Sequence, residues 1–383
     1  MKRITFIFSG LLLAAVFAEA QIVPLPLVPK DARTFAMGGA FTALSSGYQS
    51  LYGNPAGFAE GRGMLTIANL TTWGFFKPTS DQIGLVNDMI KSANAGDQTA
   101  VLNDANSVIT GNGLGAGAAL GIGWTGSGLG LGITAVTEDY AHGLTLPGTQ
   151  FQSATQINVI AGMAITLGPK DFNLKIGGDL RPFARMDSTV PASDLIAALA
   201  GNGNPGTVIF NSSANYGLGL AADLGGIFTM GSLSAGLSVR DISPPFAFNQ
   251  TTIQSVVSTG GSPTYTTTDG QAQFLPNVAV GLGWTPVVLP GLVDPALYFE
   301  VQDPIRAIRD KESVWNLLHV GGELKLLSFV YLRGGINQGW LTAGAGLDLL
   351  ILEIDAAVFT EELGAHPGDL PRSGVAANIR LHL

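Results

Sequence analysis

Gln156–Met186 reads QINVIAGMAITLGPKDFNLKIGGDLRPFARM, and both halves alternate with a period of two around a proline-containing turn. Before the turn, Gln156 and Asn158 are interleaved with Ile157, Val159, Ala161, Met163, Ile165 and Leu167. After Pro169-Lys170-Asp171, Asn173, Lys175, Asp179, Arg181 and Arg185 share one face, and Phe172, Leu174, Ile176, Leu180 and Met186 share the other. A strand sends successive side chains to opposite sides of its sheet, so each half carries one polar and one apolar face. A soluble sandwich also alternates, but its strands usually run to about 5–6 residues. A wall between lipid and water needs strands of about 9–11 residues. Length therefore reads this stretch as a hairpin of a transmembrane antiparallel β-barrel in an all-β fold.

The same pattern continues on both sides. Strands are expected near 63–76, 113–125, 128–140, 152–168, 172–187, 214–228 and 231–241. Seven more fall near 273–285, 294–303, 316–326, 328–337, 339–348, 350–361 and 373–383, giving about fourteen, an even number as bacterial barrels require. Tight connections at Gly126-Ser127, Pro169–Asp171, Met230-Gly231 and Leu349 largely alternate with the long segments 77–112, 188–213, 242–272 and 304–315. Short periplasmic turns and long external loops give that asymmetry, and only Asn337-Gln338 breaks it. Two long loops carry helical patterns, Asp81–Thr110 and a shorter one from Pro191 through Leu199, while Gly261–Gly270 is polar and Thr-rich. Trp73, Phe75, Phe76, Trp124, Tyr140, Trp284, Trp315 and Trp340 fall near strand ends, where a membrane–water interface would hold them.

Composition agrees. Charged residues are 12% of the chain against about 25% in an ordinary soluble domain, and the 52 glycines are about twice the usual share. Lys2 and Arg3, the apolar run Ile4–Phe17 and Ala18-Glu19-Ala20 form a secretory leader over residues 1–20. Removing it takes the net charge from −9 to −10, which excludes nucleic acid as a natural partner. Behind the leader no apolar run reaches 18 residues, which argues against a helical span. Without cysteine, neither disulfides nor thiol chemistry can contribute.

Residues 21–62 do not read as barrel. Asp31–Phe58, DARTFAMGGAFTALSSGYQSLYGNPAGF, is rich in Gly and Ala, and Tyr52-Gly53-Asn54-Pro55 favours a turn. Pro55 cannot donate to a ladder, and Gly38-Gly39 lets the backbone bend or pack closely. The expectation is a compact plug ahead of a barrel over 63–383.

Catalytic and cofactor signatures are weak. Gly121–Gly126 fits G-x-G-x-x-G but no helix pattern follows, so the glycines belong on a lumenal strand face. His142, His319, His366 and His382 lack the spacing of a zinc site. Glu353 and Asp355 could pair as acid and base. At i and i+2 on a lumenal face, however, they fit a charge network with Arg333, Arg380, Lys325 or Arg240 better. No catalytic residue, metal or cofactor is expected.

With plug and barrel both read, Ala32-Arg33, Met37-Gly38-Gly39-Ala40, Thr42-Ala43 and Asn54-Pro55-Ala56-Gly57 resemble the hatch of the FadL-type long-chain fatty acid transporters. Leu318–Glu323, Arg333–Gly339, Glu362-Leu363-Gly364 and Pro367-Gly368 resemble the related PorV-like branch, and similar chains occur in spirochaetes and other double-membraned bacteria. The resemblance implies a fourteen-stranded outer-membrane barrel with a hatch in its lumen and short helices in its extracellular loops. Met37, Gly38, Gly39, Asn54, Pro55, Ala56 and Gly57 would form the hatch or gate. Phe75, Phe76, Leu85, Val86 and Met89 would hold an apolar ligand. A lateral exit would use a kink in the third strand, eased by Gly128, Gly130 and Gly132.

The function so implied is passive uptake of hydrophobic small molecules such as fatty acids. Outer-membrane lipids and the barrel assembly machinery would be its other partners. A PorV-like carrier for secreted proteins is one alternative. A structural or adhesive surface protein that uses Gly261–Gly270 is another.

Overall fold

The computed structural model describes residues 22–77, 79–200 and 204–383. The leader 1–20 lies outside them. Fourteen antiparallel strands form the wall. They are β1 Met64–Phe75, β2 Leu114–Gly126, β3 Leu129–His142, β4 Gln150–Leu167, β5 Phe172–Pro191, β6 Ser213–Met230 and β7 Leu233–Ile242. The second half is β8 Asn277–Trp284, β9 Val293–Gln302, β10 Leu318–Leu326, β11 Val330–Asn337, β12 Trp340–Leu349, β13 Leu352–Glu362 and β14 Pro371–His382. Each pairs with its sequence neighbours, and β1 closes the ring on β14, with Trp73 opposite Ala376. Closure removes the edges that an open sheet would expose to lipid. All fourteen expected strands are present, with ends displaced by a few residues.

Alternation builds two surfaces. Leu131, Ile133, Ile157, Val159, Leu180, Leu224, Leu237, Leu297, Ile354 and Ile379 are exposed on the outside. Asn158, Arg181, Asp223, Glu300, Glu323, Arg333, Asp355 and Arg380 are buried in the lumen. Trp124, Trp284 and Trp315 lie outside as a membrane interface requires. Trp73, Phe75 and Tyr140 do not. Trp73 and Phe75 share the inward side of β1 with Asn69 and Thr71, and with Tyr140 they pack against the plug.

Among the described residues there are seven short helices: α1 Ala32–Ala36, α2 Ser80–Ala95, α3 Gln98–Gly111, α4 Ala192–Ala200, α5 Pro205–Asn211, α6 Ile253–Ser258 and α7 Pro304–Asp310. All but α1 lie in the long loops. The helical pattern over Asp81–Thr110 resolves into α2 and α3, broken at Gly96, whose φ of 74° ends α2. Ile109 on α3 seats that pair against Ala141, Leu146 and Ala192.

Inside the wall, α1 and three single 3₁₀ turns, Thr42–Leu44, Gly47–Leu51 and Pro55–Ala59, fold into one plug. Ala32, Ala36, Ala40, Ala56 and Phe58 are fully buried. Wall glycines make this fit possible, because a side chain would occupy the space the plug fills. A Cβ on Gly321 would sit 2.2 Å from the Met37 carbonyl oxygen, and one on Gly335 2.5 Å from the Gly38 nitrogen. On the opposite wall, a Cβ on Gly177 would meet the Pro55 oxygen at 2.4 Å and one on Gly236 the Thr42 oxygen at 2.6 Å. Part of the glycine richness of the sequence is thus a set of sockets.

Candidate functional site: the plugged lumen

Four polar clusters fix the plug to the wall. The first centres on Asp31, the N-cap of α1. Its carboxylate accepts from Thr34 N at 3.1 Å, Gln49 Nε2 at 2.7 Å, Tyr52 Oη at 3.0 Å and Arg380 Nη2 at 3.3 Å. Arg380, on β14, also donates to Glu353 at 2.6 Å and Asn69 at 3.1 Å. In the second, Arg33 donates through Nε and Nη2 to Glu323, both at 3.0 Å. Arg333 joins Glu323 to Asp355, each at 2.6 Å. Glu353 and Asp355 therefore sit in the charge network expected of them.

The third cluster is built on Glu300 of β9. It accepts from the backbone N–H groups of Phe41 at 2.8 Å and Thr42 at 2.7 Å, and from the Thr42 hydroxyl at 2.8 Å. The fourth is the turn at Asn54. Its Oδ1 accepts from Ala56 N at 3.0 Å, closing an Asx turn into Pro55. Its Nδ2 faces the Thr42, Gly226 and Leu237 carbonyls at 3.0, 3.2 and 3.3 Å. Gly226 and Leu237 are register partners, so one asparagine side chain touches both β6 and β7.

The seven residues expected in the hatch all lie in the lumen, in two groups: Met37–Gly39 against β10 and β11, and Asn54–Gly57 against β5 and β6. Met37 packs with Ala40, Ala296 and Tyr298. The Gly38 carbonyl lies 2.7 Å from His319 Nδ1, and its N–H donates to Thr342 at 3.1 Å. A Cβ on Gly57 would come within 2.3 Å of Ser50 Oγ.

The ligand set does not come together. Phe75 is fully buried beside Phe359 and Tyr140, with the Arg372 guanidinium 3.9 Å from its ring centre, whereas Leu85, Val86 and Met89 are half-buried on α2. Phe76, just past β1, is half-buried. Nor is β3 kinked. It is paired without a register shift to β2 over Leu129–Ala141 and to β4 over Leu129–His142. Gly128 lies in the β2–β3 turn at φ 85°, and Gly130 and Gly132 face Phe58 and Leu51 of the plug.

Above the plug, at the long-loop end, lies a cavity of about 590 Å³. Ile22–Lys30 lines it from within, and Glu138, Arg185, Arg240, Asp303, Arg306 and Arg372 line it from the wall and loops. Lys30 pairs with Glu361 at 2.6 Å, and Arg372 bridges Glu361 at 2.7 Å and Glu138 at 3.0 Å. Burial pushes the Asp303 carboxyl above the usual carboxylate range, and Arg306 beside it opposes that rise.

The sequence reading missed Asp31, Glu300 and Glu323 as plug-holding groups. The available signal was the pair of opposite charges Asp31 and Arg33 in an otherwise uncharged plug segment, which calls for charged partners on inward strand positions.

No family model and no curated protein matches the chain. Solved structures do. The CymD monoaromatic hydrocarbon channel aligns over 94% of this chain and 98% of its own, at TM-score 0.51 and 12% identity. The Pseudomonas putida toluene transporter TodX aligns over 95% and 99%, at TM-score 0.46 and 12% identity. A Pseudomonas aeruginosa FadL homologue aligns over 93% and 98%, at TM-score 0.43 and 10% identity. The first of these likenesses shows that the chain shares, almost end to end, the fold of a hydrocarbon channel.

Proposed function

We propose that this protein is an outer-membrane channel for passive uptake of hydrophobic small molecules, with the N-terminal plug as its gate. One observation carries the reading: a barrel with an apolar outer face holds a plug made by its own N-terminus, beneath a cavity at the long-loop end. An enzyme would need reactive groups held ready, whereas the lumenal acids here are tied to arginines and to plug backbone. The long loops with α2–α7 face the exterior, and the short turns face the periplasm. A ligand enters the cavity between Ile22–Lys30 and the wall, and movement of the turn Asn54–Gly57 opens its way onward.

Uptake of radiolabelled toluene and oleate by bacterial cells carrying the protein tests this. Both the intact protein and Asn54→Ala are compared with cells lacking it. Protein-dependent uptake of either probe is expected. Asn54→Ala removes the side chain that touches the Thr42, Gly226 and Leu237 carbonyls and should raise the rate. Equal uptake with and without the protein would refute the channel. Capture of an exported protein by the loops, with neither probe taken up, would favour the secretion carrier.

A further inference from the structure

The wall is uneven in height. β4, β5 and β6 run to 18, 20 and 18 residues, whereas β8 to β12 have 8, 10, 9, 8 and 10. At about 3.3 Å per residue and a tilt of about 40°, an eight-residue strand climbs only about 20 Å along the barrel axis. The lipid-facing band of such a barrel is about 25 Å tall. Every outward position on the five short strands carries an apolar side chain or glycine, from Val278 on β8 to Leu349 on β12. This sector therefore sets its whole length against lipid and still falls short.

The turns beneath it supply the missing surface. Residues 285–292 join β8 to β9, residues 327–329 join β10 to β11, and Leu350-Ile351 joins β12 to β13. None carries a charged side chain. Val287 and Leu350 are 80% and 91% exposed, and Val288, Leu327, Phe329 and Ile351 are exposed as well. Elsewhere on the same rim the turns are polar: Ser127, Pro169-Lys170-Asp171 and Gly231-Ser232. An apolar surface of this kind calls for an occupant.

Backbone geometry suits an apolar one. Hydrocarbon accepts a turn only where its polar backbone groups are already engaged. Here each turn bonds to itself or to the next. Leu292 and Val293 donate to the Leu289 carbonyl at 2.9 and 2.8 Å, and Pro286 and Pro290 have no N–H to satisfy. The Leu327 N–H donates to the Leu292 carbonyl at 3.1 Å and the Ser328 hydroxyl to the Gly291 carbonyl at 2.9 Å. The Phe329 carbonyl accepts from Asp348 N at 2.8 Å, and that of Ile351 from His382 N at 3.0 Å.

We propose that these three turns lie among the acyl chains of the periplasmic leaflet, where they complete the lipid-facing band under the short strands. The inference rests on the barrel and its outer face, not on what passes through it. Continuity names the occupant. Leu347 and Leu349 on β12 and Leu352 and Ile354 on β13 share the outward face, and they lead into Leu350-Ile351 without a polar break. A soluble partner on the turns would have to share that unbroken surface with lipid along its whole upper edge.

Spin labels on the turns test this. The native chain has no cysteine, so Val288→Cys and Leu350→Cys each give a single labelling site, with Ser127→Cys and Lys170→Cys as controls on the polar part of the rim. Each labelled protein is reconstituted alone in dioleoylphosphatidylcholine vesicles, and its β structure is checked by circular dichroism. Power saturation then measures collisions of the label with oxygen, which concentrates in lipid, and with a water-soluble nickel chelate. The oxygen-to-nickel ratio should be several-fold higher for the two turn labels than for the two controls. Equal ratios would overturn the proposal. So would turn labels shielded from both reagents with dipolar line broadening, the sign of a second copy covering the face. In dilauroylphosphatidylcholine, whose shorter chains match the short strands without their turns, the turn labels should move towards the control value. A ratio indifferent to chain length would mean that lipid is not what surrounds them.

Discussion

Asp31→Ala is expected to unseat the plug while leaving the barrel intact. The substitution removes a fully buried carboxylate with four partners, and leaves Arg380, Gln49 and Tyr52 short of an acceptor. Breaking a buried pair by deleting one member costs about 3–5 kcal/mol. The wall's own ladder, including β14 against β1, does not depend on Asp31. The lesion should therefore appear as plug release rather than loss of β structure. In planar bilayers the variant should show large conductance steps where the native protein is closed. Protease added on the periplasmic side should cut within residues 30–60. A closed, protease-resistant Asp31→Ala barrel with an unchanged far-ultraviolet circular dichroism spectrum would contradict this account of what holds the plug.

The second large effect concerns neighbouring glycines. Gly334→Val and Gly335→Val lie side by side on β11 but face opposite ways. A Cβ at Gly335 would come within 2.5 Å of the Gly38 nitrogen and 2.6 Å of the Val320 oxygen. At Gly334 the nearest atom is the Thr342 oxygen, at 3.8 Å. Valine favours strands, so propensity alone would make both changes stabilising. Overpacking, at about 1–3 kcal/mol, should dominate only at Gly335. The expected result is an open or leaky barrel for Gly335→Val, and a barrel as closed as the native one, with an equal or higher melting temperature, for Gly334→Val. Identical behaviour of the two would mean that the lumenal glycines are not sockets for the plug.

The wall was legible because a period of two over ten or more residues has one physical meaning when lipid lies on one side. The strands on either side of Pro169–Asp171 follow directly from Gln156–Leu167 and Phe172–Met186. Side-chain type alone was a poorer guide. Trp73 and Phe75 resemble interface residues by kind and by place near a strand end, yet their parity with Asn69 and Thr71 turns them inward. The resemblance implied a kink in the third strand that Gly128, Gly130 and Gly132 would ease, whereas the structure gives Gly130 and Gly132 a packing role against Phe58 and Leu51 of the plug. The early end of the β6–β7 ladder could not be read from pattern. It depends on where β7 leaves the ladder, after Ile242, and on which strand accepts Asn249–Thr252, and neither is a local property of the chain.

The sockets also set an order of assembly. The plug precedes every strand in the chain, yet the glycines that receive it come from β2 to β12, and Asp31 meets Arg380 of β14 across 349 positions of sequence. No partly built sheet presents these contacts together. A segment synthesised before every strand thus completes its contacts only after the final strand has joined the first. Such distant pairing is slow, and its completion reports that the whole cylinder has been made. A chain truncated before β14 lacks Arg380 for Asp31 and is expected to carry a plug segment that proteases can reach.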